Sequence, residues 1–400
     1  MDVLFVSPWY PDPPDNGAKI RISNLLSALC SRHHVTLIAA HDPGIRPSPA
    51  LRQPLSLCED VIPVPWAPRP ITDVRRFLSY LWARPEWVFF APSAEMGTKI
   101  SRAIEARDPD LIITYEFSTA RYLPQALPLP AILEDVELAG YLGSPETESV
   151  LRRARRRLFG WKLRRALCSL LRRFTACTVP SQAERDLLAA FVSDPPPVRL
   201  VPNCLDAAHY EDIEAQPRRE TLILTGALTF GANRDAVMFF LQEVYPLIKQ
   251  ELPGVRFCIT GRHNGIISPL IKEDPTVRLT GFVDDVRPLI AGSWVSVVPL
   301  LTGGGTRFKI LEAMALGTPV VSTTKGAEGL AAESGKHLLI ADCPADFAAA
   351  VVRICRDRAL RQRLAEAGQE LVAEEYTWQS VAPRYLAWVE RVAADGMDRA

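Results

Sequence analysis

The chain has 400 residues, and its 46 basic and 46 acidic side chains cancel, so no overall field draws in nucleic acid. Its 48% hydrophobic content is that of a soluble globular protein, of about two domains at ~100–200 residues each. No apolar run approaches the roughly 18 residues of a membrane span, and the start, MDVLFVSPWYP, lacks the basic and apolar regions of a signal peptide.

Eight cysteines are scattered without a CxxC or a Cys/His cluster, which predicts free thiols of a reducing cytosol rather than disulfides or zinc ligands. Asp2–Ser7 (DVLFVS) is a short apolar run expected as a buried strand. A Pro/Gly loop over 8–17, an amphipathic helix over Ile20–Leu29 and a strand over Val35–Ala39 follow. This β-loop-α-β opening predicts a doubly wound sheet. The loop has no GxGxxG and so no dinucleotide fingerprint. Gly17 lets a ligand approach the backbone or is a turn glycine, and Arg21 reaches that ligand or is solvated. Asp110–Tyr115 (DLIITY) is a further strand. Ala131–Leu133 leads into Glu134-Asp135-Val136-Glu137, whose three carboxylates lie just past a strand end, where ligands of such sheets bind. They orient an acceptor hydroxyl or act as a base, or they form the acidic first turn of the next helix.

Leu151–Phe174 (LRRARRRLFGWKLRRALCSLLRRF) is strongly basic and broken only by Gly160, with Leu151, Leu158, Trp161, Leu163, Leu167, Leu170 and Leu171 on an apolar side. Two readings stand: an amphipathic helix on anionic lipid or a phosphorylated lipid acceptor, or a surface helix with solvated arginines. Few interleaved aromatics argue against nucleic acid. Ala176–Pro180 and Val198–Val201 are strands, Ser181 caps the helix between them, and the polar stretch Leu205–Arg219 is expected as the interdomain linker.

The second half repeats the architecture. Strands are expected over Thr221–Thr225, Val255–Thr260 and Val277–Leu279, with a glycine-containing loop over 226–233 and a helix over Asp235–Lys249. Gly261-Arg262 and Gly281-Phe282-Val283 follow two of these strands, and Asp285 caps a helix through Ile290. Val295–Leu301 is a buried strand. After it come Gly303, Gly304, Gly305 and Thr306, the last a good N-cap. A helix is expected from Arg307, ended by Gly317 and stopped by Pro319 before the next strand. The free N–H groups and positive helix end of this loop suit phosphate, although α/β domains that bind nothing have such loops too. Arg307 and Lys309 oppose the helix dipole, so local stability does not account for them. Two helices over 344–373 and one over Trp378–Ala394 complete the chain.

These features together resemble the retaining GT-B glycosyltransferases of family 4. The marks are the PxPPxxG loop ending at Gly17, VPSQAERDLL, Pro202-Asn203, LTGAL, VRFCITG, LTGFVDD, EEYTWQ and, most specific, VVPLLTGGGTRFKILEAMALGTPVVST. The resemblance implies an α/β fold of GT-B type, two doubly wound Rossmann-like domains facing a cleft. The acceptor-side domain is expected over 1–205, with helix 378–400 packing back on it, and the donor domain over 215–375. The implied activity is transfer of a hexosyl group from a nucleotide sugar to a hydroxyl of a glycan or lipid-linked acceptor, with retention and with no metal or other cofactor. The implied setting is polysaccharide or glycolipid synthesis in the cytoplasm, with peripheral contact at the inner face of the membrane through 151–174.

Residue by residue, Glu312 is similar to the second glutamate of the family's E-x7-E motif, which holds the donor ribose. The first would fall at Gly304, and the family's arginine after the first strand of the donor domain would fall at Ala227. Arg307 and Lys309 are therefore expected to take over charge neutralisation. Gly303, Gly304, Gly305, Thr306, Arg262, Phe282 and Val283 are implied on the donor side, and Gly17, Arg21, Glu134 and Asp135 on the acceptor side. Alternatives remain on the residues alone: Lys309 and Glu312 as a surface pair three apart on a helix, and Asp284-Asp285 as caps rather than metal ligands. The substituted motif positions keep open a non-catalytic nucleotide-sugar-binding partner, and the fold a GT-B epimerase or phosphorylase.

Overall fold

The computed structural model describes residues 1–13, 17–42, 54–65, 94–139, 150–213, 215–263, 265, 274–303 and 307–397, with side chains throughout except at 94, 150–157 and 397. It divides into two compact units, Met1–Pro202 with Ala382–Ala400, and Asn203–Val381.

Unit 1 is built from β1 (Asp2–Ser7), α1 (Gly17–Cys30), β2 (His34–His41), β3 (Asp60–Pro65), α2 (Ala94–Arg107), β4 (Leu111–Tyr115), α3 (Glu116–Ala120), β5 (Ala131–Glu134), α4 (Val150–Leu171), β6 (Ala176–Val179), α5 (Gln182–Phe191) and β7 (Val198–Leu200). The strands pair in parallel in the order β3-β2-β1-β4-β5-β6-β7. β1, β4, β5 and β6 are buried along nearly their whole length, because parallel strands covered on both faces must be apolar on both. The strand order reverses between β1 and β4, which opens a crevice at their carboxyl ends.

Several expectations need correction. α1 begins at Gly17, three residues before the apolar stripe. α4 runs unbroken through Gly160, where a Cβ would meet nothing within 4 Å, so this glycine costs helix propensity without ending the helix. Leu163, Leu167, Leu170 and Leu171 are buried in the core of unit 1, whereas Leu158 and Trp161 are 43% and 55% exposed. The predicted apolar side is thus split between the core and solvent. α4 is a core element, and its arginines at 152, 153, 155 and 156 lie outside the described side chains.

Unit 2 holds α6 (Ala208–Glu211), β8 (Thr221–Thr225), α7 (Gly231–Phe239), α8 (Tyr245–Glu251), β9 (Arg256–Thr260), β10 (Val277–Gly281), α9 (Arg287–Ala291), β11 (Val295–Val298), α10 (Phe308–Ala315), β12 (Val320–Ser322), β13 (Leu339–Ile340), α11 (Pro344–Arg356) and α12 (Arg358–Glu375). α13 (Trp378–Met397) begins here, and its residues from Ala382 on belong to unit 1. The sheet order is β10-β9-β8-β11-β12-β13, again parallel, with its reversal between β8 and β11. The helix expected over Asp235–Lys249 is interrupted by a π turn at Phe240–Val244. Pro246 accounts for it, since proline has no N–H and its ring needs a wider preceding turn. Leu205, expected in a linker, is instead buried and zipped to unit 2: its N–H bonds the Tyr376 carbonyl and its carbonyl accepts from Trp378.

Candidate functional site

In unit 2 the loops after β8 and β11 meet at the strand-order reversal. Gly226 and Gly261, just past β8 and β9, both sit at φ +132°, and a Cβ on Gly261 would lie 2.1 Å from the Gly226 carbonyl oxygen. Only glycine lets these strand ends touch. Lys309, on the first turn of α10, donates from Nζ to Asn233 Oδ1 at 2.7 Å, and Asn233 Nδ2 donates to the Ala227 carbonyl at 3.0 Å. A Cβ on Gly226 would lie 3.0 Å from that same ammonium. The Lys309 charge is therefore fixed at the mouth of β8, across the reversal from its own helix. Burial, then the neighbouring Arg307, pulls its pKa down to about 8.

Arg307 does not begin the helix. It occupies the cap position (φ −87°, ψ 59°), and α10 starts at Phe308. Its buried guanidinium donates to the carbonyls of Gly303 at 3.0 Å and Lys325 at 3.1 Å, with Glu328 at 3.8 Å. It staples the loop while leaving a positive charge beside Lys309. Gly303 takes φ +104°, and a Cβ there would press on Ala232 at 3.2 Å. Gly304, Gly305 and Thr306 lie outside the described residues.

Glu312, one turn beyond Lys309, is half-buried, and its Oε1 accepts from the Tyr210 hydroxyl at 3.1 Å. Burial raises its pKa against the opposing effects of Tyr210, Lys309 and Arg287. Lys309 and Glu312 thus have different partners, which corrects the surface-pair reading. Arg262 stacks on Phe282 at 4.8 Å from the ring centre, at the ends of β9 and β10, and Val283 is half-buried in the next loop. The Leu228 N–H bonds the Arg262 carbonyl, which joins this pair to the β8 loop. Asp285 accepts from the Arg287 N–H at 3.0 Å and pairs with its guanidinium, a helix-entry role. Among the described residues no group of three or more His, Cys, Asp and Glu is placed to hold a metal.

In unit 1, Gly17 is the first residue of α1, and Arg21, one turn on, is only 1% exposed. Its guanidinium reaches Glu134 at 3.0 Å, Asp135 at 3.6 Å and the Val201 carbonyl at 2.9 Å. Burial excludes the solvated alternative for Arg21. Glu134 and Asp135 likewise engage Arg21 and, for Asp135, the Tyr115 hydroxyl, and cap no helix among the described residues. Glu116 follows β4 at φ +61° and Asp135 follows β5 at φ +63°. Left-handed backbone at a non-glycine costs about 1 kcal/mol or more and gathers at functional sites. Glu116 accepts from Trp9 Nε1 at 3.4 Å and Ser118 Oγ at 3.3 Å, so the β1 and β4 loops meet through it. Burial and then Asp135 push its pKa up to about 7, and burial with Asp135 and Glu184 pushes Glu137 to about 8.

Sequence reading missed Glu116 and Tyr210, and placed Asn233 only near the position of the family's donor-loop lysine, with no partner assigned. The rule that picked Glu134, an acid at the end of a buried strand, finds Glu116 when applied to DLIITYE. Nothing local marks Asn233 or Tyr210, whose partners lie 76 and 102 residues away.

Comparison with known proteins agrees with this architecture. Residues 16–204 match the Glycosyl transferase 4-like domain and residues 219–357 the Glycosyl transferases group 1 family. A mannosyltransferase of Mycolicibacterium hassiacum, named MMP alpha-(1->4)-mannosyltransferase, is 27% identical over 54% of each chain. The phosphatidyl-myo-inositol mannosyltransferase of Mycobacterium leprae is 36% identical over 30% of this chain and 33% of that protein. The chain thus spans a third to about half of the curated relatives it matches. Among solved structures, sucrose-phosphate synthase from Thermosynechococcus elongatus superposes with a TM-score of 0.70 over 99% of this chain and 100% of that one, at 18% identity. Anabaena HepE, solved with UDP and glucose, gives 0.64 over 98% and 100% at 16% identity. Two parallel-sheet units of this topology, matched along both halves, place the chain in the glycosyl transferases group 1 family, with the GT-B fold.

Proposed function

We propose that the chain is a retaining hexosyltransferase that moves a sugar from a nucleotide-sugar donor to a hydroxyl of a glycan or lipid-linked acceptor in polysaccharide or glycolipid synthesis. The observation that carries this reading is the Lys309 ammonium, held by Asn233 against Gly226 where β8 and β11 diverge. As the glycosidic bond breaks, negative charge collects on the departing diphosphate. A cation already in place stabilises that charge without reorganisation, and one such group is worth about 3 kcal/mol. Arg307 adds charge and holds the loop, and the backbone of Gly303, Gly304, Gly305 and Thr306 is assigned the remaining phosphate contacts. Glu312 is assigned to the ribose, and Arg262, Phe282 and Val283 to the base.

The acceptor is assigned to the carboxyl end of the unit 1 sheet. There Glu116, Asp135 and Glu137 offer hydrogen-bond acceptors for hydroxyls, while Arg21 and Glu134 hold the floor. No residue pair in unit 2 is assigned as nucleophile and acid, so the reading takes a same-face route through an oxocarbenium-like state. It calls on no metal. A mannosyl lipid or a polysaccharide as product is in keeping with the names of the relatives. Leu158 and Trp161, exposed beside Arg164 and Arg165, support contact of α4 with the inner face of a membrane.

A thermal-shift screen of nucleotide sugars tests the reading, since a ligand that binds the native state raises its melting temperature by mass action. One donor is expected to stabilise the protein and to release nucleoside diphosphate when an acceptor is added, with the anomeric configuration preserved by NMR. An inverted product refutes retention. Sugar phosphate release, or an altered sugar without release, makes the chain a phosphorylase or epimerase. Binding without turnover makes it a partner subunit.

A further inference from the structure

Glu312 is not held by its own helix. Its Oε1 accepts from Tyr210, which stands on α6, just after the chain passes from unit 1 into unit 2. That short helix is pinned from several sides. Arg287 donates to the His209 carbonyl and grips Asp285 through Nε and Nη2, each at 2.9 Å. Asp206 accepts from Gln379 at 2.9 Å and pairs with His209. The Tyr210 ring packs in the same apolar cluster as Leu311 and Met314 of α10. Glu312 Oε2 accepts no hydrogen bond among the described residues. One carboxylate oxygen is therefore anchored and the other is left to a ligand.

We propose that Tyr210 is a positioning residue that fixes the Glu312 carboxylate so that its second oxygen meets a ribose hydroxyl of the donor. This rests on the assignment of Glu312 to the ribose. A carboxylate on a two-torsion stem otherwise loses rotamer freedom on binding, and a neutral hydroxyl is the right clamp because it leaves the negative charge in place. The same network joins the loop carrying Phe282 and Val283 to Glu312 through Asp285, Arg287 and α6. Base and ribose contacts are thereby referenced to one rigid segment. The identity of the residue matters: phenylalanine would fill the same apolar space and leave Glu312 unanchored.

The test uses the full chain and isothermal titration with uridine diphosphate and guanosine diphosphate, each against its 2′-deoxy analogue. The wild type is expected to bind the ribo form of one of them roughly tenfold tighter than the deoxy form, the scale of one hydrogen bond to a charged group. Tyr210→Phe is expected to bring this ratio close to one while leaving the unfolding midpoint in place, because the ring stays packed. In turnover assays it is expected to raise the donor KM more than it lowers kcat. Glu312→Gln separates the inference from its premise. If Glu312→Gln lowers the ribo/deoxy ratio and Tyr210→Phe does not, the positioning role is wrong and the ribose assignment stands. If Glu312→Gln keeps the full ratio, the assignment itself is wrong and the inference goes with it. Tighter donor binding by Tyr210→Phe makes the hydroxyl a competitor of ribose and overturns the proposal. Failure of the wild type to bind these two diphosphates, and adenosine and thymidine diphosphate as well, overturns both.

Discussion

Replacing Arg21 with methionine tests whether the floor of the unit 1 crevice is an internal ion cluster. The guanidinium is 1% exposed and reaches two carboxylates and a carbonyl at 2.9–3.6 Å. Methionine fills much of the volume but removes the cation, leaving Glu134, which is wholly buried, and Asp135 without it. Breaking a buried pair from one side costs about 3–5 kcal/mol, because the remaining charge is uncompensated. At about 2–4 °C per kcal/mol for a unit of this size, the melting transition is expected to fall by roughly 10 °C. The deficit also depends on pH. Burial already raises the Glu134 pKa, and Arg21 is the leading influence that lowers it again. Without Arg21 the folded-state pKa rises further above the unfolded value of about 4.3. An acid whose pKa is raised by folding binds its proton more tightly in the native state, so stability is retained below the unfolded pKa and lost as pH rises through the folded one. Calorimetry across pH is therefore expected to show wild type and Arg21→Met converging in acid and diverging toward neutrality. A melting temperature unchanged at neutral pH, with altered acceptor kinetics instead, would show that Arg21 serves a ligand rather than the fold.

Glu116, with its pKa near 7, is expected to give the acceptor dependence of kcat/KM an inflection near neutral pH, activity rising as the carboxyl ionises; Glu116→Gln should abolish the inflection, and a profile that keeps it assigns the titration elsewhere. Replacing Arg152, Arg153, Arg155 and Arg156 with glutamine is expected to weaken binding to anionic liposomes in a sedimentation assay by up to about a thousandfold, at roughly 1 kcal/mol per basic residue near the surface, and unchanged binding removes α4 from any membrane role. Cys30 and Cys58 have sulfur atoms 3.8 Å apart, and diamide is expected to couple them, with loss of a thiol pair by Ellman titration that Cys30→Ser prevents; equal loss in that variant would place the reactive pair elsewhere.

Much of this fold is readable in the sequence because buried parallel strands leave continuous apolar runs. DVLFVS, DLIITY, TLILT and VRFCIT announce themselves, and Gly226 and Gly261, directly after the last two, mark strand ends that touch. Other elements leave weaker traces. β3 (DVIPVP) is an edge strand whose two prolines argue against a strand in isolation. β13 is two residues long and exists only through its pairing with β12. The site is legible in part. Its glycines and charges stand together in one stretch, but what each charge touches does not. Arg21 meets a carboxylate 113 residues away, and Lys309 an amide 76 residues away. A charged side chain on a helix is solvated by default, and only the tertiary partner reverses that default. The split of α4 shows the same limit, since one apolar stripe supplies both core leucines and an exposed tryptophan.

The central claim is that the Lys309 ammonium at the strand-order reversal of unit 2 receives the donor diphosphate. Titration of the wild type and Lys309→Met with a nucleoside diphosphate and the matching monophosphate, across pH, measures this most directly. The account predicts that the wild type favours the diphosphate, that this preference fades as pH rises through about 8, where Lys309 loses its proton, and that the variant shows little preference at any pH. Equal diphosphate preference in the two proteins at neutral pH would contradict it.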